Sequence, residues 1–131
     1  MKVISGKVCH GYGVASQNLA QVVGLIEFRT GLSPLVPGTL NLAIPASYIV
    51  IPDAQIELAE YNNVEFIKLQ RCRIAEVRAI IMRPNTHELG YAHGPAHLEL
   101  LSTIVLRAHF HLHDGDVVDV EVEGDATWWN T

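Results

Sequence analysis

A strictly alternating segment near the end of the chain restricts the fold more than any other feature of the sequence. Residues 117–123 place valine at positions 118, 120 and 122 and an acidic residue at 119, 121 and 123. Successive side chains of a strand point to opposite faces, so this period of two predicts a half-exposed strand over residues 117–122. The Asp114-Gly115 pair directly before it is a strong turn signal. This segment is therefore expected to be a turn followed by a strand with one solvated face.

Glycine and proline divide the rest of the chain into further short segments. Apolar residues recur at helical spacing over residues 19–28, and Gly31 stands where a helix commonly ends. A short helix is predicted for residues 104–110, whereas residues 83–96 lack periodicity and predict a long surface loop. The predicted strands cover residues 2–9, 39–44, 48–51, 65–70, 72–82, 97–101 and 117–122, with a helix over 75–82 as an alternative. These elements predict a mainly β fold, a closed or nearly closed barrel with one or two short helices.

Length and composition predict a single soluble domain. The 131 residues are 49% hydrophobic and 18% charged, which is typical of a compact globule. We expect the domain in residues 1–124 and a short, loose tail in residues 125–131, where Trp128-Trp129 lie. No apolar run is long enough to span a bilayer and the first residues lack a signal-peptide core, so a cytoplasmic protein is expected. Cys9 and Cys72 are then expected to be reduced, buried and structural.

The charge of the chain argues against two classes of partner. The formal net charge is −5, with nine lysines and arginines in all. A chain of this charge has no broad cationic field for a nucleic-acid backbone or an anionic membrane surface. An anionic ligand must therefore be held by a local site, in a protein expected to be a monomer or a small homo-oligomer.

The first candidate for such a site is a glycine-rich segment that begins at Gly11. It reads Gly-Tyr-Gly-Val-Ala-Ser over residues 11–16, between a predicted strand and a predicted helix. Small residues let backbone N–H groups approach a phosphate closely, and the start of the helix adds its positive end. The alternative is a plain turn in which Ser16 or Asn18 caps the helix.

The second candidate is the segment Pro37-Gly38-Thr39-Leu40-Asn41, in which a turn leads directly into a strand. Residues two apart on a strand share a face, so the Thr39 hydroxyl and the Asn41 amide oxygen converge on one point. Both are hard oxygen donors, and nucleotide-bound Mg²⁺ needs few protein ligands because phosphates and water fill its other positions. The alternative is a turn in which both side chains bond to neighbouring backbone.

Histidine-based metal binding is a less favoured interpretation. His93, His97 and Glu99 combine imidazole and carboxylate ligands, but their spacing matches no common metal motif. The remaining candidate is Arg107, whose planar fork could reach a phosphate, with a solvated arginine on a helix face as the alternative. Asp114 and Asp116 are most simply turn residues. The histidines at positions 109, 111 and 113 are expected to be scattered on the surface.

Taken in order, these motifs resemble the archaeal CTP-dependent riboflavin kinase family. The shared order is G-x-G-x-A-S, a helix, G-x-x-P-x-x-G-T-L-N-L, P-x-T-H, L-E-L-L, L-R and D-G-D-V-V, which spans about residues 6–122. The resemblance implies a six-stranded cradle-loop-type barrel. It also implies transfer of the terminal phosphate of CTP to the ribityl 5′-hydroxyl of riboflavin, with FMN and CDP as products and Mg²⁺ as the cofactor.

The resemblance also implies roles for individual residues. Thr39 and Asn41 correspond to the Mg²⁺ ligands, and Thr86 and Glu99 to the riboflavin contacts. Glu99 is in addition our candidate for the group that accepts the hydroxyl proton. The nucleotide-binding residues implied are Tyr12, Gly13, Val14, Ala15, Ser16, Gln17, Ile104, Val105, Leu106 and Arg107.

Two other functions remain as alternatives. The same barrel could hold a nucleotide or a flavin without catalysis, as a regulatory module. Cradle-loop barrels also resemble the swapped hairpins of some transcription factors, which would make the chain a DNA-binding protein. The net charge of −5 argues against DNA binding.

Overall fold

The computed structural model describes residues 1–10, 20–63, 65–85, 95–123 and 126–130. Seven strands lie within these residues. They are β1 (Lys2–Cys9), β2 (Leu40–Ala43), β3 (Ala54–Ile56), β4 (Ile67–Ile74), β5 (Val77–Pro84), β6 (His97–Leu101) and β7 (Val117–Val122). The α-helices of these residues are α1 (Val23–Thr30) and α2 (Leu106–His109), and short 3₁₀ helices cover Leu58–Tyr61 and Ala126–Asn130.

The strands form one antiparallel sheet that closes on itself. Their order is β3-β4-β5-β6-β2-β1-β7, and β4 also pairs with β7 through Arg73 opposite Glu121 and Ile74 opposite Val120. Six strands thus make a closed barrel, while β3 extends the sheet beside the first half of β4. Closure satisfies strand edges that would otherwise be exposed. The predicted mainly β barrel with two short helices is confirmed.

Apolar side chains pack on both sides of the barrel wall. One core fills the interior and includes Leu42, Leu98 and Val120. A second core lies outside the wall, where Ile26 of α1 packs with residues such as Leu69. Because β4 contributes to both cores, its sequence does not show the simple alternation seen in β7.

The hairpin between β4 and β5 differs from the prediction. The sequence favoured strands over residues 65–70 and 72–82, whereas β4 runs through Ile74 and β5 begins at Val77. The two residues between them make the turn, and Ala75 has a φ of 52°. Turns with positive φ usually carry glycine, asparagine or aspartate, so alanine gave no turn signal. The alternative of a helix over residues 75–82 is also wrong.

The predicted strand over residues 48–51 is wrong, although its alternation has a physical cause. Tyr48 and Val50 are buried, while Ile49 and Ile51 are exposed. The segment is extended over the barrel but joins no strand ladder, and the third strand forms instead over Ala54–Ile56. Alternation reports which faces are buried, and it does not report which backbone groups pair.

The long loop predicted for residues 83–96 begins later than expected. Arg83 and Pro84 belong to β5, and Arg83 is only 1% exposed. Its guanidinium donates to the backbone oxygens of Tyr48 at 2.8 Å and His97 at 2.7 Å. Those bonds satisfy the two terminal nitrogens of a cation inside the fold, which composition alone would have placed at the surface.

Residues that end a helix or form a turn were predicted more reliably from the sequence than the pairing of strands. The predicted helix over residues 19–28 overlaps α1, which begins later, at Val23, and runs to Thr30. Gly31 ends it with a φ of 79° and an N–H donated to the oxygen of Glu27 at 2.9 Å. The turn at Asp114-Gly115 is present, with a φ of 90° at the glycine. Each of these features depends on a few adjacent residues.

The aromatic pair near the end of the chain does not lie in a loose segment, so that expectation is wrong. Trp129 is 2% exposed and belongs to the outer core. Its indole N–H donates to the backbone oxygen of Cys72 at 3.0 Å, and the ring lies between the guanidinium groups of Arg71 and Arg78, 5.4 and 4.9 Å from their central carbons. Hydrophobic burial, a hydrogen bond and two cation–π contacts together hold the 3₁₀ helix on the barrel.

An ion pair between α1 and the first 3₁₀ helix makes the stability of the outer layer pH-dependent. Arg29 donates to Glu60 Oε1 at 2.6 Å, and this bond is the main cause that lowers the pKa of Glu60 from 4.5 to about 2. A carboxyl group with a lowered folded-state pKa stabilises the fold above its unfolded pKa and loses that contribution as the pH falls toward the folded value.

We therefore expect Glu60→Gln to lower the free energy of unfolding at neutral pH and to make its decline between pH 4.5 and about 2 shallower. Urea unfolding across this pH range measures both effects. The control is Glu76→Gln, since Glu76 is an exposed turn residue. Equal acid sensitivity in the wild type and Glu60→Gln would contradict the expected role of the pair.

None of the helices in the described part of the chain combines the length and the apolar character that a membrane crossing requires.

Candidate functional site

The pairing of β2 with β6 brings the Thr39–Asn41 segment against Glu99. Asn41 lies directly opposite Glu99, and on the other side of β2 it lies opposite Cys9 of β1. The neighbouring residues Leu40 and Leu100 point into the barrel interior. Because side chains alternate along a strand, Asn41 and Glu99 point to the outer face of the wall. Both are nevertheless buried, at 8% and 7% exposure.

A chain of polar contacts joins the side chains of this outer face. His97 Nε2 lies 2.9 Å from Asn41 Oδ1, and Asn41 Nδ2 donates to the Thr39 hydroxyl oxygen at 3.2 Å. The Thr39 side chain is in turn hydrogen-bonded to Glu99. At the other end, His97 Nδ1 lies 4.0 Å from the sulfur of Cys9, which is a free thiol. Three strands, β1, β2 and β6, thus contribute to one connected site.

The carboxyl group of Glu99 has an unusually high pKa because it is buried. Loss of hydration raises its pKa from 4.5 to about 7, against the opposing effects of the Thr39 hydrogen bond and the charge of Arg83. The negative charge of Glu65 adds to the increase. A carboxyl group with a pKa near neutrality can both accept and release a proton under ordinary conditions, as general acid–base catalysis requires.

The donor atoms of the site fit a hard cation that brings ligands of its own. The described residues contain no group of three or more His, Cys, Asp or Glu side chains that could hold a metal ion. Thr39 and Asn41 carry neutral oxygens two residues apart, beside the carboxyl group of Glu99, but the predicted convergence of these oxygens is not observed, because the Asn41 amide turns its nitrogen toward Thr39 and its oxygen toward His97. Mg²⁺ bound to a nucleotide takes most of its ligands from phosphates and water, so this small set is adequate.

The predicted nucleotide segment at residues 104–107 lies at the start of α2. Leu106 is buried and Val105 is exposed, while Arg107 is half-buried and donates to Asp114 Oδ1 at 2.5 Å. His10 Nε2 lies 2.6 Å from the other oxygen of Asp114. From the sequence, Asp114 was expected to be a turn residue only, and its ion pair with Arg107 was not predicted.

The same turn connects the arginine to the end of β1. The N–H of Gly115 donates to the oxygen of Val8, and the N–H of Val8 donates to the oxygen of Asp116, both at 2.8 Å. Since Cys9 follows Val8 and faces Asn41, the turn that holds Arg107 adjoins the polar site. The Thr39–Asn41 pair and Glu99 therefore lie on paired strands, and the Arg107 segment is connected to the same region through the end of β1.

Other predicted site residues lie outside the described residues. These are Tyr12, Gly13, Val14, Ala15, Ser16, Gln17 and Thr86, together with His93 of the alternative histidine site. The histidines at 109, 111 and 113 are exposed, as expected. Sequence reasoning missed the contact of His97 with Asn41 and the buried position of Arg83. The only available signal was the spacing of His97 and Glu99, which is two residues, like that of Thr39 and Asn41.

Comparison with known proteins assigns the chain to a family. The model of the CTP-dependent riboflavin kinase domain, described as domain of unknown function DUF120, matches residues 8–122. The chain belongs to this family. The family resemblance found from the motifs is thereby confirmed, and the match covers β1 from Val8, β7 and all the strands between them.

Curated relatives in the CTP-dependent riboflavin kinase family are archaeal proteins named riboflavin kinase. The relative from Pyrobaculum arsenaticum is 33% identical over an alignment of 134 positions, and the alignment covers 92% of this chain and 58% of the relative. The relatives from Pyrobaculum aerophilum and Archaeoglobus fulgidus are 31% and 32% identical, with 58% and 54% of their lengths covered. The chain thus spans less than two thirds of the length of these relatives.

Proposed function

We propose that this chain is a CTP-dependent riboflavin kinase, which transfers the terminal phosphate of CTP to the ribityl 5′-hydroxyl of riboflavin and yields FMN and CDP. The observation that carries the proposal is the placement of Glu99, with a pKa near neutrality, against the side chains of Thr39 and Asn41. Membership of the CTP-dependent riboflavin kinase family and the names of the relatives support it.

The reaction can be written in terms of the residues of this chain. Glu99 accepts the proton of the 5′-hydroxyl as that oxygen forms a bond to the terminal phosphorus, and the bond from this phosphorus to the bridging oxygen of CDP breaks. Burial raises the pKa of Glu99 to about 7 despite the opposing charge of Arg83, so the carboxylate is a stronger base than an exposed glutamate. The buried position of Glu99 also limits access of water to the proton acceptor.

The remaining groups would position the nucleotide and neutralise its charge. Thr39 and Asn41 would hold Mg²⁺, which supplies charge neutralisation on the phosphates when it is bound. Arg107 would add a planar cation from α2, kept in place by Asp114. The segment 12–17 would bind the nucleotide through backbone N–H groups, and Thr86 would join Glu99 in contacting riboflavin, as the resemblance implies.

The direct test is incubation of the folded protein with riboflavin, Mg²⁺ and either CTP or ATP, followed by chromatographic detection of FMN. We expect FMN with CTP, and little or none with ATP. Absence of FMN with both donors would overturn the proposal. If the same protein still bound CTP or riboflavin, the non-catalytic binding module would be the better description.

Removal of one proposed cation ligand tests the Mg²⁺ site. We expect Thr39→Ala to raise the Mg²⁺ concentration needed for half-maximal activity at least about tenfold, since loss even of outer ligand partners has effects of this size. A titration of activity against Mg²⁺ measures the change. The matched control is Thr127→Ala, because Thr127 is exposed in the last 3₁₀ helix. An unchanged Mg²⁺ requirement in Thr39→Ala would show that the cation is bound elsewhere.

A further inference from the structure

We propose that His97 is a positioning residue, which accepts a hydrogen bond from the side-chain amide of Asn41 after a half rotation of that amide, so that the amide oxygen joins the Thr39 hydroxyl in binding a divalent cation. The inference rests on the proposed function for the identity of the cation site. It concerns a residue to which neither the motifs nor the comparisons assign this role. His97 is 5% exposed, and it reaches the site from β6, two residues before Glu99.

The side-chain amide of Asn41 contacts His97 through one end and Thr39 through the other. Its oxygen lies 2.9 Å from His97 Nε2, and its nitrogen donates to the Thr39 hydroxyl oxygen at 3.2 Å. The oxygen and the NH₂ group of an amide have nearly the same shape, while one accepts and the other donates hydrogen bonds. A half rotation of the amide therefore exchanges the two groups between His97 and Thr39.

Only one of the two orientations suits a cation. When the amide oxygen faces Thr39, two oxygens converge on one point, and the NH₂ group faces His97. When the NH₂ group faces Thr39, as it does in this structure, it occupies the place of the second cation ligand and the amide oxygen faces His97. Imidazole Nε2 can accept a hydrogen bond from the NH₂ group when the ring proton is on Nδ1, so His97 can stabilise the cation-binding orientation.

The surroundings of His97 hold its ring and its backbone in place. On the ring, Nδ1 lies 4.0 Å from the sulfur of Cys9, a group that can serve as a weak hydrogen-bond acceptor. On the backbone, the oxygen of His97 accepts a hydrogen bond of 2.7 Å from the buried guanidinium of Arg83. The strand pairing opposite Ala43 fixes the register of the residue. Such support is what an outer partner of a metal ligand requires.

Binding of Mn²⁺, followed by the electron paramagnetic resonance signal of the free ion, tests this role without measuring activity. The variants are His97→Leu, which removes the acceptor, and His97→Gln, whose amide can accept a hydrogen bond near the position of Nε2. We expect His97→Leu to weaken Mn²⁺ binding in the presence of CTP about 10- to 100-fold and His97→Gln to retain most of the affinity. The matched control is His113→Leu, because the side chain of His113 is 87% exposed.

The outcomes separate this inference from the proposed function. Wild-type Mn²⁺ affinity in folded His97→Leu would overturn the role of His97 even if the wild type makes FMN. Equal loss in the Leu and Gln variants would also overturn it, since it would show a packing role only. Weakened binding in the Leu variant and recovery in the Gln variant would support it, whether or not FMN is formed.

A measurement on the unchanged protein covers the case in which His97→Leu does not fold. Two-bond proton–nitrogen correlation spectra show which ring nitrogen of His97 carries the proton. With Mn²⁺ replaced by diamagnetic Mg²⁺ and with CTP present, we expect the proton on Nδ1 and an unprotonated Nε2. A proton on Nε2 under these conditions would overturn the proposal, because the amide oxygen of Asn41 would then face His97.

Discussion

Replacement of Glu99 by Gln is expected to lower kcat for FMN formation by about 100- to 10,000-fold, the usual contribution of a positioned proton acceptor. The amide has nearly the shape of the carboxyl group, and its oxygen can still accept the hydrogen bond from Thr39. It cannot accept a proton from the 5′-hydroxyl. The variant therefore removes the chemical role of Glu99 while the contacts of β2 with β6 are retained.

Steady-state kinetics with separate kcat and KM values for riboflavin measures this effect. The matched control is Glu121→Gln on β7, a half-buried glutamate whose neighbour across the sheet is Arg73 of β4. Full turnover in Glu99→Gln would exclude Glu99 as the proton acceptor. A rise in KM with unchanged kcat would limit its role to contact with riboflavin.

Truncation of Trp129 to Ala is expected to lower the free energy of unfolding by about 3–5 kcal/mol, the range for removal of a large buried aromatic side chain. The side chain is 2% exposed and packs in the outer core with Ile26 and Leu69. The change also removes the hydrogen bond to the oxygen of Cys72 and uncovers the guanidinium groups that flank the ring.

Urea unfolding followed by circular dichroism measures this loss, and two further variants divide it into parts. Trp128→Ala is the matched control, because Trp128 is only half-buried and its ring stacks on Arg73 alone among the described cation–π pairs. Trp129→Phe keeps most of the apolar volume and removes the indole donor, so it should cost less than the Ala change. A loss below about 1 kcal/mol in Trp129→Ala would mean that the last 3₁₀ helix does not contribute to the fold.

Features that depend on neighbouring residues could be predicted from the sequence. The alternation of valines with acidic residues located β7, and Gly31 marked the end of α1. The spacing of Thr39 and Asn41 put both side chains on one side of β2, where they are in contact. In each case the physical cause acts over two to four residues, through side-chain alternation, turn geometry or backbone conformation.

Features that depend on distant residues were decided by the tertiary structure. Nothing near Asn41 in the sequence indicates that His97 lies 2.9 Å away, since that contact requires the pairing of β2 with β6. The burial of Trp129 likewise requires β4 and α1 to be in place. Strand pairing, barrel closure and burial depend on which of many registers buries the most apolar surface and leaves the fewest polar groups without partners. That balance is a property of the whole chain. It buries Glu99, which raises the pKa of its carboxyl group, and it sets the Asn41 amide with its nitrogen, rather than the predicted oxygen, toward Thr39.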